Sequence, residues 1–249
     1  MIPTPEFKAP GDPAPWTNVS HQERRGISLE KIESKLRSSQ RHFDVANPPE
    51  EPAELRGIQL NTSGATMTRK SSVLVALFEQ DGETRIILTR RSLELKSHRG
   101  EVALPGGRND EGESSTTTAL REAHEEIGLE PNAVRVVGWL SPIVTLASGS
   151  AIQPIVGFLN ERPEMFANPS EVERVFDIEL SYLLEDENFA EERWRRESPR
   201  PGARADGTFG IYFYKVPGEV IWGATSRVIT ELLAIVTGTE HSLPRWTVG

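Results

Sequence analysis

Hydrophobic and polar positions along this chain follow two different periods. Two β-rich runs, at residues 72–78 and 84–89, flank the turn dipeptide Asp81-Gly82, and this order predicts a β-hairpin. Further strands are predicted near residues 134–140, 151–159, 175–178 and 208–216. The chain is therefore expected to contain a sheet of several strands.

Apolar residues at helical spacing predict the helices. Leu29, Ile32 and Leu36 follow a suitable capping serine, so a helix is predicted over residues 28–39. Further helices are predicted over residues 115–127 and 219–237, with a short helix beginning at Ser181. Strands mixed with helices in this order predict an α+β protein or an α/β/α sandwich.

Composition divides the chain into four parts: residues 1–27, 28–70, 71–240 and 241–249. The first part contains five prolines among its first 15 residues, which predicts an extended arm or a disordered tail. The second part combines the first helix with a linker rich in proline and glutamate, the third is the main domain and the fourth is a tail. Residues 185–207 are polar, and they are interpreted either as a mobile flap over a substrate or as a plain surface insertion.

Charge and cysteine content exclude several classes of protein. The net charge is −9 over 249 residues, so nonspecific binding to long nucleic acid is not expected. The sequence contains no cysteine, which excludes disulfides, thiolate metal sites and a cysteine nucleophile. No apolar run approaches the length of a membrane span, and no signal peptide is recognisable, so no membrane partner and a cytoplasmic location are expected.

Three carboxylates lie at helical spacing behind a glycine-rich turn. Glu122, Glu125 and Glu126 occupy positions i, i+3 and i+4, so on a helix they share one face and repel each other. A hard divalent cation such as Mg²⁺ or Mn²⁺ relieves that repulsion, because it prefers carboxylate oxygen. The alternative interpretation is an ordinary exposed acidic helix.

The whole stretch from Gly107 to Leu129 resembles the Nudix box, a glycine followed by Glu113, Arg121-Glu122 and Gly128 at fixed spacing. The resemblance implies a Nudix fold, with a mixed sheet between helices, and hydrolysis of a diphosphate linkage. It also implies that Mg²⁺ or Mn²⁺ is bound by the residues Glu122, Glu125, Glu126 and the carbonyl of Gly106.

A helical wheel is taken to place Arg121 away from these acids, where it would pair with Glu113. Glu113 could instead help to bind a further metal ion. Gly107, Glu113, Arg121 and Gly128 are therefore assigned structural roles.

A second motif lies directly upstream. The segment from Ile87 to Gly107 resembles the signature of the coenzyme A pyrophosphatase branch of the Nudix family, with Ile87, Lys96 and Leu104 as conservative departures. Its cations suit a substrate with several phosphates, and the residues predicted to bind substrate are Arg90, Arg91, Lys96 and Arg99. The alternative is a basic loop that merely balances local acids.

The resemblance implies hydrolysis of coenzyme A, or its derivatives, to 3′,5′-ADP and 4′-phosphopantetheine. Two residues compete for the role of base: Glu122 in the box and Glu171 in a loop where related enzymes place such a residue. Glu125 is the third candidate catalytic carboxylate.

Two rival functions are a Nudix enzyme for ADP-ribose or another nucleoside diphosphate derivative, and a non-catalytic Nudix-fold binding protein. A homodimer is common in the wider family, so one is possible here.

Overall fold

The computed structural model of the protein describes residues 2–39, 41, 61–62, 65–66, 69–145, 150–195 and 204–239. Within them the helices are α1 (His21–Arg24), α2 (Leu29–Ser38), α3 (Ser115–Ile127), α4 (Leu180–Leu183) and α5 (Gly223–Thr237). The strands are β1 (Phe7–Pro10), β2 (Asn61–Thr62), β3 (Ala65–Thr66), β4 (Arg69–Gln80), β5 (Glu83–Arg91), β6 (Val102–Ala103), β7 (Gly106–Arg108), β8 (Arg135–Trp139), β9 (Ile143–Thr145), β10 (Ser150–Phe158), β11 (Val172–Glu179), β12 (Phe189–Arg195), β13 (Thr208–Val216) and β14 (Glu219–Trp222).

The central sheet has the strand order β11-β5-β4-β10-β8, and the short strands β6, β7 and β9 pair with β5, β4 and β10. Strand β10 runs parallel to β4, whereas the neighbouring pairs are antiparallel, so the sheet is mixed as expected. The hairpin between β4 and β5 turns at Asp81 and Gly82, whose φ angles are 53° and 80°. Both angles are positive, as the favoured two-residue hairpin turn requires.

Helix α3 covers one face of this sheet. Ser114 caps its first turn by accepting a hydrogen bond from the Thr117 N–H at 3.1 Å, and Gly128 ends it with a φ of 70°. The apolar stripe of the helix packs on alternate residues of β4, which point to the same face of a strand. The buried residues of this layer include Ala119, Ala123, Ile127, Leu74, Ala76 and Phe78.

Helices α2, α4 and α5 cover the opposite face, which confirms a mixed sheet between helices. The intervening residues of β4 and β5 point to this side and are completely buried. This larger core includes Val75, Leu77, Ile86, Leu88, Ile32, Leu36, Leu183, Ile229 and Leu232. Strand β4 is therefore apolar on both faces, because each face meets a helical layer.

A second sheet, which the sequence did not predict, has the strand order β1-β12-β13-β14. Strand β12 lies within residues 185–207, the segment interpreted as a flap or surface insertion, so at least Phe189–Arg195 are part of the fold. Strand β14 replaces the first turn of the predicted last helix, which begins at Gly223 and not at residue 219. The tight turn before β14 and its pairing with β13 explain that later start.

The proline-rich N-terminal segment is not a free arm. Strand β1 pairs with β12, and Trp16 is completely buried, with its ring 5.4 Å from Phe189 and 6.5 Å from Tyr214. The buried Arg24 guanidinium donates to the carbonyls of Thr17 and Leu184 at 2.8 and 3.1 Å. The composition-based boundaries at residues 27 and 70 therefore do not separate cores, since Trp16 lies in the same buried cluster as α5.

Some predicted features fall outside the described residues, namely most of the linker between α2 and β4 and the tail over residues 241–249. Among the residues that are described, no helix has the length and apolar character needed to cross a membrane.

Replacing Trp16 tests whether the N-terminal segment belongs to the core. Trp16→Ala is expected to lower the free energy of unfolding by about 3–5 kcal/mol, because it leaves a large cavity beside two aromatic rings. Urea denaturation followed by circular dichroism measures the change. Ile2→Ala is the control, because Ile2 is 39% exposed and its loss should change stability by less than about 0.5 kcal/mol. Equal small effects of both substitutions would show that the segment is not anchored.

Candidate active site

Two glycines bring strand β7 and helix α3 into contact. Gly106 has a φ of 154°, and a Cβ there would lie 2.3 Å from the Ser72 carbonyl oxygen. A Cβ on Gly107 would lie 2.4 Å from the carboxyl carbon of Glu122. Neither position can carry a side chain without displacing β4 or this carboxylate. The glycine turn therefore allows the acids of α3 to lie directly against the backbone of β7.

Glu126 is the most deeply buried acid of this region, with 2% of its surface exposed. Its carboxylate accepts a hydrogen bond from the Gly106 N–H at 3.1 Å and lies 3.5 Å from the Arg91 guanidinium. Burial raises the pKa of Glu126 from its ordinary 4.5 to about 7, and the nearby charges of Glu171 and Glu122 add to the rise. The two favourable contacts do not offset the loss of hydration, so a proton or a bound cation would stabilise this carboxylate.

Glu122 and Glu125 differ in exposure but share one partner. The side chain of Glu122 is 14% exposed and that of Glu125 is 54% exposed, and one Arg121 nitrogen lies 3.0 Å from each carboxylate. Burial raises the pKa of Glu122. The expectation that Arg121 points away from the acids is wrong. Arg121 and Glu125 are i,i+4 neighbours on the helix surface, and the same guanidinium nitrogen also reaches the carboxylate of Glu122.

The predicted ion pair between Arg121 and Glu113 is present. The Arg121 Nε and Nη2 atoms donate to the two Glu113 oxygens at 2.9 and 3.0 Å, while Nη2 also donates to the Arg108 carbonyl at 3.1 Å. Thr118 Oγ1 and the Asp110 N–H donate to the same Glu113 carboxylate. The Arg121 guanidinium holds the pKa of Glu113 down at about 2. This network fixes the loop before α3 to the helix.

Glu171 lies at the end of the loop between β10 and β11. Its charge contributes to the raised pKa values of both Glu122 and Glu126, so its carboxylate faces the same region. The Glu171 carbonyl accepts a hydrogen bond from the Ser92 N–H at 2.8 Å, which joins this loop to the upstream motif. The charge of Glu171 therefore acts on both Glu122 and Glu126.

The four basic residues predicted to bind substrate are not brought together at one place. Arg91 points towards Glu126, whereas Arg90 points to the other face of β5, where it lies 3.1 Å from Glu219 and 3.3 Å from Glu173. Lys96 and Arg99 are exposed on the loop after β5, and within the described part of the chain neither forms an ion pair. Two of the four cations are thus engaged by protein carboxylates and two are available to a ligand.

The donor set suits a hard divalent cation. Glu122 and Glu126 lie against neighbouring residues of the glycine turn, and both carboxylates have raised pKa values because burial is not compensated. They lie at the C-terminal half of α3, where the helix dipole also disfavours negative charge. No three acidic or histidine side chains of the described residues meet at one point, so Glu125 would have to leave Arg121 to join the other two.

Three residues that support the site were not identified from the sequence as functional. Thr118 fixes Glu113, Ser92 holds the Glu171 backbone, and the backbone and side-chain N–H groups of Asn168 donate to the carbonyls of Glu126 and Glu125. These residues are small and polar, and Ser92 and Asn168 act through contacts between segments distant in sequence. The sequence places Glu171 in a loop, but the attachment of this loop to α3 through Asn168 depends on tertiary contacts.

The amino-acid sequence is similar to those of several known proteins. The sequence profile of the NUDIX domain matches residues 68–196. The chain is 38% identical over 190 residues to the peroxisomal coenzyme A diphosphatase NUDT7 of Mus musculus, which covers 74% of this chain and 78% of that protein. It is 40% identical over 172 residues to the chloroplastic Nudix hydrolase 22 of Arabidopsis thaliana, covering 68% of this chain. The chain spans 55% of the length of that plant relative.

A similar solved structure is that of a MutT/nudix family protein from Enterococcus faecalis. It has a TM-score of 0.45 and 17% sequence identity, and covers 66% of this chain and 60% of that chain.

The Glu113–Arg121 pair is expected to stabilise the fold in a pH-dependent way. Because the folded-state pKa of about 2 lies below the ordinary 4.5, the contribution is complete above pH 4.5 and is lost as the pH falls through about 2. Glu113→Gln should therefore lower the free energy of unfolding at pH 7 by about 1–2 kcal/mol. Urea denaturation of the variant and the wild type at pH 7 and near pH 2 measures how much of this stabilisation is lost in acid.

Glu111→Gln is the matched control, because Glu111 is an exposed carboxylate in the same loop. It should leave stability unchanged at pH 7. A Glu113→Gln variant as stable as the wild type at pH 7 would show that the network does not support the loop.

Proposed function

Because this chain belongs to the Nudix family, we propose that it hydrolyses the diphosphate bond of coenzyme A or its derivatives in a reaction that depends on Mg²⁺ or Mn²⁺. The observation that carries the hydrolytic part is the position of the buried Glu126 and the partly buried Glu122 against the glycine turn. The exposed cations Lys96 and Arg99 support a substrate with more than one phosphate group.

The carboxylates of α3 have the first role in this proposal. Glu122, Glu125 and Glu126 would hold the cation, with the Gly106 carbonyl as a further oxygen donor. The chemistry that a bound divalent cation supplies is neutralisation of the diphosphate oxygens and a lower pKa for the attacking water. Arg121 would keep Glu122 in place through its own anchor on Glu113, since it contacts both carboxylates.

Hydrolysis requires a group that accepts a proton from the attacking water. The water oxygen forms a bond to one phosphorus, and the bridging oxygen leaves with the other phosphate. Glu171 is the better candidate for the base, because it is not engaged by Arg121, which lies 3.0 Å from Glu122. Positioning of the water against the phosphorus supplies most of the acceleration in such a step.

The loop after β5 is proposed to bind the phosphate groups of the substrate. Its ends are closed by hydrogen bonds between Arg91 and the residues Gly100 and Glu101, at 3.0 Å each. Arg91 at its base contacts Glu126, so the start of this loop adjoins the acids. Arg90 is proposed to have a structural role instead, because Glu219 and Glu173 already neutralise it.

We also propose a cytoplasmic location and a homodimer. The names of two relatives, in contrast, give a chloroplastic and a peroxisomal location for those proteins. Coenzyme A, or an acylated form of it, remains the proposed small-molecule partner.

Substitution of Glu122 and Glu126 tests the site by two measurements, the rate of hydrolysis and the binding of a cation in the absence of substrate. Glu126→Gln and Glu122→Gln are each expected to lower kcat by about 10²–10⁴-fold, because the cation loses a charged ligand. Titration with Mn²⁺ followed by electron paramagnetic resonance should show weakened binding in both variants. Glu130→Gln is the control, because Glu130 follows the same helix and its side chain is 72% exposed. Mn²⁺ binding as tight as in the wild type would contradict the assignment of these acids.

Neutralising the basic loop tests how phosphate is recognised. Lys96→Gln and Arg99→Gln are expected to raise KM for coenzyme A by about 5–30-fold, because each removes a charge-assisted contact of about 1–2 kcal/mol. The effect on dephospho-coenzyme A, which lacks the 3′-phosphate, should be smaller for at least one variant. Steady-state kinetics with both substrates measure the difference. Arg37→Gln on α2 is the control, and KM changes equal to those of the control would refute the role of the loop.

The substrate itself is tested by mass spectrometry of the products. Purified protein with Mg²⁺ or Mn²⁺ is expected to convert coenzyme A to 3′,5′-ADP and 4′-phosphopantetheine. ADP-ribose and nucleoside diphosphate derivatives form the comparison panel. Cleavage of ADP-ribose with coenzyme A left intact would overturn the coenzyme A proposal, and absence of turnover on all of them would favour a binding protein.

A further inference from the structure

The loop between β10 and β11 closes the C-terminal end of helix α3. The Phe166 N–H donates to the Ile127 carbonyl and the Asn168 N–H donates to the Glu126 carbonyl, both at 2.9 Å. The side-chain amide of Asn168 donates to the Glu125 carbonyl at 3.4 Å. The last carbonyls of a helix have no partner within it, so these bonds satisfy groups that are otherwise exposed.

Asn168 also shapes the loop beyond itself. Its side-chain oxygen accepts hydrogen bonds from the Ser170 N–H at 3.2 Å and from Ser170 Oγ at 2.7 Å. Its carbonyl accepts bonds from the N–H groups of Glu171 at 3.0 Å and Val172 at 2.8 Å. Asparagine is suited to such a turn, because its short side chain reaches the backbone two residues later. The turn ends at Glu171.

The other end of this turn is held by the upstream motif. The Ser92 N–H donates to the Glu171 carbonyl at 2.8 Å, and Ser92 directly follows Arg91, which contacts Glu126. The backbone of Glu171 is therefore fixed from two sides, by the start of the basic loop and by the end of the helix that carries the acids. Asn168 forms the attachment on the helix side.

We propose that Asn168 is a positioning residue for the reaction, which fixes the Glu171 carboxylate relative to Glu122 and Glu126. The inference rests on the proposed hydrolysis. Asn168 would contact neither the cation nor the substrate, and it would act through Glu171. The same two residues, Glu125 and Glu126, present their side chains to the site and their carbonyls to Asn168. A displacement of the loop would thus separate Glu171 from the acids, and errors of about 1 Å in such groups can cost about 10²-fold in rate.

A double-mutant cycle separates positioning from ordinary helix capping. Asn168→Ala is expected to lower kcat about tenfold with KM changed by less than about twofold, because the substrate contacts remain. In a Glu171→Gln background the same substitution should cause no further loss, because the group that it positions has already been disabled. Capping alone would give equal losses in both backgrounds.

Asn168→Asp provides a second variant that keeps the turn. Its carboxylate still accepts from Ser170, but the donor to the Glu125 carbonyl is lost, so kcat should fall in the same way. Asn160→Ala is the control, because Asn160 is an exposed asparagine of the same loop, and it should retain wild-type kcat. Thermal unfolding midpoints show that each variant compared is folded.

The rates are measured with coenzyme A, or with ADP-ribose if that is what the wild-type protein cleaves. A failure of the coenzyme A proposal therefore leaves the cycle intact on the other substrate. Losses that multiply in the double variant would overturn the inference. Wild-type kcat in Asn168→Ala, or in Glu171→Gln alone, would overturn it as well.

Discussion

The burial of Glu126 against the glycine turn is the constraint on which the rest of the site depends. A carboxylate with 2% exposure loses most of its hydration, and a single backbone N–H with one distant guanidinium does not replace it. The position is therefore tolerated at a cost in stability, which is typical of functional sites. Gly106 and Gly107 make it geometrically possible, because side chains there would collide with β4 and with Glu122.

Arg121 connects the carboxylates near this buried acid to one another. Glu113, with its lowered pKa, anchors Arg121, and Arg121 also reaches both Glu122 and Glu125. The arginine thus links a stable scaffold to the acids that need a cation. Its anchoring also fixes the loop before α3, which consists of polar residues and one glycine.

Segments far apart in sequence complete the arrangement. The N-terminal segment and the second sheet support α5 and the central sheet, and the loop over Asn168 attaches Glu171 to the end of α3. Glu219 at the start of β14 neutralises Arg90, which separates that cation from the exposed Lys96 and Arg99. The upstream basic motif is therefore divided between a structural function on one face of β5 and a proposed binding function on the loop.

The sequence alone determined the local features of this protein. The spacing of Glu122, Glu125 and Glu126 and the Asp81-Gly82 hairpin depend on residues close together in the chain, where helical and strand periods suffice. The tertiary structure decided which residues meet. Trp16 and β12 were misread because proline and polar content report on local preference, whereas their burial comes from pairing across more than 150 residues. The partners of Arg90, Arg91 and Asn168 were likewise set by packing between distant segments, which no local period records.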